Sequence, residues 1–264
     1  MKDLSVIITS YHQRELTLNC IKGYLQFCPK ELNLKIIIVE NSDDISYKDE
    51  VLNMGSNIIW VQNNAIYKKA SLDKAAWFNA NGVEVGMKHV SSVYVFLSHN
   101  DVCITSEKFY ETMSRKIQEG YSLVGTCYDT HPMRNHSIII LGCLVKSEIV
   151  RNVDLYPTPL PHSTKGEKHF ECGDRIHLYC KKNDIKFICL KNTHNDKEVG
   201  DIIKEPFKSI LGVRTINDEG EVIFVHFARG TSKTLGKYNY AKKKGSLNPQ
   251  EIISFSEKIY EDSI

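Results

Sequence analysis

Four short apolar runs limit what this chain can become: LSVIIT (Leu4–Thr9), LKIIIV (Leu34–Val39), NIIWVQ (57–62) and VYVFL (Val93–Leu97). Each reads as a strand, and the apolar, β-branched and aromatic run Val93–Leu97 has the composition of one covered on both sides. Between them lie stretches of helical spacing. Leu16, Cys20, Ile21, Tyr24 and Leu25 mark one that Pro29 closes, a short one follows near Asp49–Met54, and a third spans Ala70–His89 with Ala75, Phe78, Val85 and Met87 on its apolar side. Strand and helix alternate to about residue 127, with a helix over Ser106–Glu119 and the strand SLVGTCY closing the series. That order predicts an α/β fold with a doubly wound, mostly parallel sheet.

The later half is less regular. SIIILGCLV reads as a long inner strand of a mixed region, Phe170–Lys182 as a helix, KFICL and GEVIFVHF as strands, and Pro249–Tyr260 as a terminal helix. YPTPLPHSTKGEKHF has the composition of a surface loop over about 156–169. One domain over 1–264 is expected, regular to about 127 and less regular over 128–264.

Composition excludes more than it selects. The 264 residues carry a formal net charge of +2, with 42% hydrophobic and 25% charged residues. No global field argues for nucleic acid. MKDLSVIITSYH turns polar too soon for a leader, and no run approaches the ~18 apolar residues of a membrane span, so a cytoplasmic protein is expected. The eight cysteines form no Cys-x-x-Cys pair and several sit in apolar runs; they are expected to be reduced core residues.

Each early strand ends on polar side chains. Strand one delivers Thr9, Ser10 and Tyr11, strand two Glu40, Asn41 and Ser42, strand three Asn63 and Asn64, and strand four His99, Asn100 and Asp101. A parallel sheet gathers these sets along one edge, where open α/β sheets bind ligands. No Gly-x-Gly-x-x-Gly or Gly-x-x-x-x-Gly-Lys cradle is present, so a bound nucleotide needs a metal on its diphosphate instead. The plainer reading of Asp101 is a cap for the next helix, and of Glu40 a solvated cap.

LSVIITSYHQRE followed by LKIIIVENSDD resembles the opening of family-two glycosyltransferases, nucleotide-sugar enzymes of the GT-A fold. The resemblance implies donor contacts at Thr9, Tyr11, Glu40 and Asn64. VYVFLSHNDVCI stands in the place of the family's Asp-x-Asp motif, here His99-Asn100-Asp101, implying that Asp101 and His99 meet a divalent ion, Mn²⁺ or Mg²⁺, and the donor. HFECGDRIHLYC resembles the segment that supplies the acceptor-activating base; Glu171 and Asp174 are the candidates, with Cys172 on the family's Asp. FVHFARGTSK resembles the C-terminal loop of bacterial sugar transferases, implying His226 in the metal shell and Arg229, Ser232 and Lys233 on phosphate oxygens. The implied activity is inverting, metal-assisted transfer of a sugar to a polysaccharide or glycolipid hydroxyl, with a nucleotide-sugar-binding half to about 127 and an acceptor-binding half over 128–264; the alternative is a non-catalytic sugar-nucleotide-binding partner protein of the same fold. The basic run ARGTSKTLGKYNYAKKK over 229–244 adds a route to an anionic lipid-linked acceptor at the inner membrane surface.

Overall fold

The computed structural model describes residues 1–64, 74–129, 135–140, 142–157, 170–227 and 249–261. Four parallel strands form its frame: β1 (Asp3–Ser10), β2 (Asn33–Glu40), β3 (Ile58–Gln62) and β4 (Tyr94–His99). With β6 (Leu123–Gly125), β7 (Cys143–Lys146) and β8 (Phe187–Cys189) they make a seven-stranded sheet of order β3-β2-β1-β4-β7-β6-β8. Only β7 runs against its neighbours. This is the mixed α/β, mostly parallel architecture expected from the strand–helix alternation.

Side chains alternate through the sheet into two apolar layers. Val6, Ile8, Ile36, Ile38 and Phe96 enter one, packed with α1 (Arg14–Gln26) and α8 (Pro249–Glu261). Ile7, Ile37, Val39, Val95 and Leu97 enter the other, with α3 (Lys74–Met87), α5 (Ser147–Arg151) and α6 (Asp174–Lys182). Each of these side chains contributes about 1.5–3 kcal/mol by leaving water. The remaining helices are α2 (Lys48–Asn53), α4 (Lys108–Gln118) and α7 (Lys197–Ile202). All eight cysteines are free thiols, six of them buried.

Several expectations need correction. SIIILGCLV is not one strand: β7 covers only its end, and Ile138 makes an isolated bridge to Tyr128. Val93 is 68% exposed and precedes β4. The helix expected from Phe170 begins at Asp174, because Gly173 adopts a left-handed φ of 76° just before it. In α3, Phe78 is half-buried and turns toward Tyr11, while Ala76, Ala80, Val83 and Met87 face the core. The sequence reading also missed a second, antiparallel sheet of order β5-β10-β9, built from β5 (Val102–Ile104), β9 (Val213–Ile216) and β10 (Val222–His226).

Candidate functional site

The strand order reverses between β1 and β4, whose neighbours in the sheet were formed from opposite directions of winding. At such a switch point the connections leave to opposite faces and open a crevice beyond the carboxyl ends of the strands. Ser10, Glu40 and His99 end three adjacent strands there, with Thr9 in register with both Val39 and His99.

Beyond His99 the chain turns sharply and enters β5, so Asp101 caps no helix; the Ser106 hydroxyl accepts the Lys108 N–H (3.0 Å) at the start of α4 instead. Pairing of β5 with β10 sets His226 opposite Val102, and the Phe227 N–H donates to the Asp101 carbonyl at 3.0 Å. The side chains follow the backbone. His226 Nε2 lies 3.5 Å and His99 Nδ1 3.7 Å from Asp101 Oδ1, and one ligand atom from each residue fits within 4.8 Å of the others.

This trio is poor in water. Asp101 is 2% exposed. Burial alone would push its carboxyl up, but the His226 and His99 imidazoles outweigh it and hold the group well below the usual carboxylate range. Burial drives the His99 imidazole below its usual value, against the opposing pull of Asp101. His99 Nε2 is buried with no hydrogen-bond partner among the described residues. One ionised carboxylate with two imidazoles suits a divalent ion: bonds near 2.1 Å set ligands about 3–3.5 Å apart, close to the two distances from Asp101 to the imidazoles. The residues fit the metal.

Asn100, between the two candidates, has a different task. Its amide donates to Ser10 Oγ and Thr17 Oγ1, both at 3.2 Å, and so ties the β4 tip to β1 and α1. Glu40 is also internal, at 0% exposure. Its Oε1 accepts from the Ser42 N–H (2.9 Å), the Ser42 hydroxyl (2.5 Å) and the His12 N–H (3.2 Å), and its Oε2 from the Tyr47 hydroxyl. His12 holds a left-handed φ of 52°, so this carboxylate stabilises the bend that presents Tyr11. Thr9 is buried with its hydroxyl 3.5 Å from Asn79 Oδ1, facing α3, whereas Asn64 is exposed beyond β3.

Sequence reasoning overlooked the face of α3 at this edge. The rings of Tyr11 and Phe78 stand 5.9 Å apart, Phe78 and Trp77 5.2 Å, and Trp77 and Tyr156 5.8 Å. The WFNAN run carried the signal, because apolar helical spacing leaves Trp77, Asn79 and Asn81 off the core side.

Across the sheet, Asp174 opens α6, 4% exposed, and its Oδ2 accepts the Glu171 N–H at 2.8 Å. Glu171 itself is half-buried. Cys172 is buried, and burial raises its thiol well above the ordinary value. Arg229, Ser232 and Lys233, most of the 156–169 loop and the basic 229–244 run lie outside the described residues.

No protein-family model matches the chain, and no curated protein does. Among solved structures, it aligns with a mannosyltransferase from Pyrobaculum calidifontis in complex with GDP-Man and Mn²⁺, at 9% identity and TM-score 0.49, over 70% of this chain and 54% of that one. It aligns with S. aureus TarS in complex with UDP-GlcNAc at 12% identity and TM-score 0.42, over 60% of this chain and 49% of that one. A Methanothermobacter nucleotidyl transferase aligns at 9% identity and TM-score 0.42, over 70% of this chain and 84% of that one. The chain spans about half the length of the first two. Likeness at this level carries no argument for an activity, which must come from the chain's own residues.

Proposed function

We propose that this chain is a GT-A-like glycosyltransferase, moving a sugar from a nucleotide-sugar donor to a hydroxyl of a saccharide or lipid-linked saccharide with inversion. The observation that carries this reading is the convergence of Asp101, His99 and His226 at the switch point, where a donor diphosphate would lie. Those three residues would hold a divalent ion, with Mn²⁺ favoured over Mg²⁺ by the two imidazoles. When bound, the ion supplies Lewis-acid neutralisation of the departing diphosphate.

The chain's own groups have distinct tasks in this reading. Tyr11, with Phe78 beside it, offers ring faces to the nucleoside. Glu40 acts through the loop it fixes rather than by touching the ribose, since its oxygens are taken by protein donors. Asp174 takes the proton of the attacking acceptor hydroxyl, with Glu171 its alternative; such a base is worth about 10²–10⁴-fold. Arg229, Ser232 and Lys233 clasp phosphate oxygens, and the 229–244 run meets an anionic acceptor at the cytoplasmic membrane face.

The test is release of free nucleoside diphosphate from a panel of nucleotide sugars with Mn²⁺. Slow donor hydrolysis, accelerated by acceptor and abolished in Asp101→Ala, is the expected result. Donor binding without turnover, unchanged by that substitution, would replace the reading with a non-catalytic sugar-nucleotide binder. Pyrophosphate formed from a nucleoside triphosphate would replace it with nucleotidyl transfer.

A further inference from the structure

A chain of side-chain hydrogen bonds runs from the tip of β2 along α3 to Tyr156. Asn63 Nδ2 donates to Asn41 Oδ1 (2.6 Å) and to Asn81 Oδ1 (2.7 Å). Asn81 Nδ2 donates to the Tyr156 hydroxyl (2.9 Å), which donates in turn to Glu84 Oε2 (2.5 Å). From Asn63 through Asn81 and Tyr156 to Glu84 each group donates onward, so these three bonds polarise one another in the same sense, while the bond to Asn41 branches the other way. Asn41 follows Glu40 at the tip of β2, and Asn81 and Glu84 belong to α3.

Tyr156 also holds the other side. Its ring lies 5.8 Å from that of Trp77 on α3. Its carbonyl accepts from Arg175 (2.6 Å), which reaches the Asp154 carbonyl and carboxylate, both at 3.2 Å. The Gly173 N–H donates to the Leu155 carbonyl at 3.0 Å. Gly173 and Arg175 flank Asp174, so the segment 154–156 grips the first turn of α6 by backbone and by guanidinium. On the α3 side, Leu155 is buried in the apolar layer that α3 faces, the Tyr156 ring meets Trp77, and the Tyr156 phenol makes the hydrogen bonds to Asn81 and Glu84. Burial, with Glu84 alongside, raises that phenol to about 12, so it stays a donor at neutral pH.

We propose that Tyr156 is a positioning residue that clamps the first turn of α6 to α3 and so fixes Asp174 against the donor edge. The catalytic half of this inference rests on the transferase reading above; the mechanical half does not. Within the clamp the hydroxyl supplies the bond to α3 and the carbonyl the bond to α6. Removing the hydroxyl takes away the hydrogen bonds to Asn81 and Glu84 and loosens 154–156 against α3, while leaving the ring, the carbonyl and the donor edge in place.

The test uses the full chain carrying Tyr156→Phe, Arg175→Ala or both. Amide exchange of the free protein is read at Gly173, whose N–H is held by the Leu155 carbonyl and exchanges when 154–156 loosens; about tenfold faster exchange in each variant, with β1 and β2 unchanged, is expected. Unchanged exchange at Gly173 overturns the clamp whatever the activity. With donor and acceptor, Tyr156→Phe should lower kcat for transfer about 10- to 100-fold, since small misplacement of a reacting group costs that much, and leave donor KM near wild type. The same substitution in an Asp174→Asn background should add nothing, because Tyr156 acts through Asp174. Additive losses, or a loss confined to donor KM, overturn the positioning role. A wild-type chain that turns over no nucleotide sugar, yet loses Gly173 protection in Tyr156→Phe, retires the transferase reading and leaves the clamp standing.

Discussion

His226 Nε2 lies 3.5 Å from Asp101 Oδ1, although the two residues belong to distant parts of the sequence. The contact exists because β10 pairs with β5, which starts one residue after Asp101. If the trio binds a cation, losing one ligand should weaken it sharply. His226→Ala and Asp101→Asn are each expected to lower Mn²⁺ affinity at least about 100-fold, beyond what outer partners of a metal ligand cost. Calorimetric titration of Mn²⁺ into the protein without donor measures this; unchanged affinity in both variants would remove the metal site.

Glu40 faces four donors and no acceptor. Glu40→Gln replaces one accepting oxygen by an N–H₂ that points at those donors, so a loss on the order of 2–3 kcal/mol is expected. Tyr47→Phe removes a single donor and should cost less, about 1–2 kcal/mol. Urea unfolding of both variants gives the comparison. A neutral Glu40→Gln would mean that the carboxylate does not hold the His12 bend.

Gly86 lets α3 approach β1: a Cβ there would stand 2.8 Å from Ile7 Cγ2, inside the packed layer. Gly86→Ala is therefore expected to destabilise by about 1–3 kcal/mol, overpacking outweighing the better helix propensity. Gly200, in α7, has open space where its Cβ would go. Gly200→Ala should stabilise by up to about 1 kcal/mol. Thermal unfolding of the pair checks the opposite signs.

His177 sits on α6 at 1% exposure, its ring packed edge-on against Tyr128 and Phe187. Burial, with Lys181 nearby, lowers the imidazole below its usual value, so the fold favours the neutral ring. The unfolded chain then binds more protons near pH 6, and stability rises with pH there. The contribution is complete above about pH 6.5, the unfolded value, and is lost as pH falls through the lower folded value. His177→Phe should flatten the fall in urea midpoint between about pH 7.5 and 5.5 relative to wild type. An identical pH profile would show that His177 charges freely in the fold.

Legibility differed from element to element for physical reasons. Strands β1 to β4 announced themselves because a sheet covered on both faces needs uninterrupted apolar runs, and the polar residues that stop each run necessarily mark its end. Helix α6 was placed four residues early, since the left-handed Gly173 is invisible to a count of apolar positions. SIIILGCLV misled because a buried apolar run reads alike in a strand and in irregular backbone packed under other layers. The α3 face toward Tyr11 was hidden because helical spacing put Phe78 on the apolar side, whereas its ring turns to Tyr11 at the strand edge.

The sequence by itself determined a mostly parallel α/β sheet and the polar edge where a ligand would sit, because apolar periodicity and strand-ending residues are local properties of the chain. Only the tertiary structure decided that His226 meets Asp101, that Glu40 is consumed by Ser42, His12 and Tyr47, and that Tyr156 ties α3 to α6. Those relationships depend on strand pairing and side-chain direction across segments far apart in sequence, and no local pattern records them.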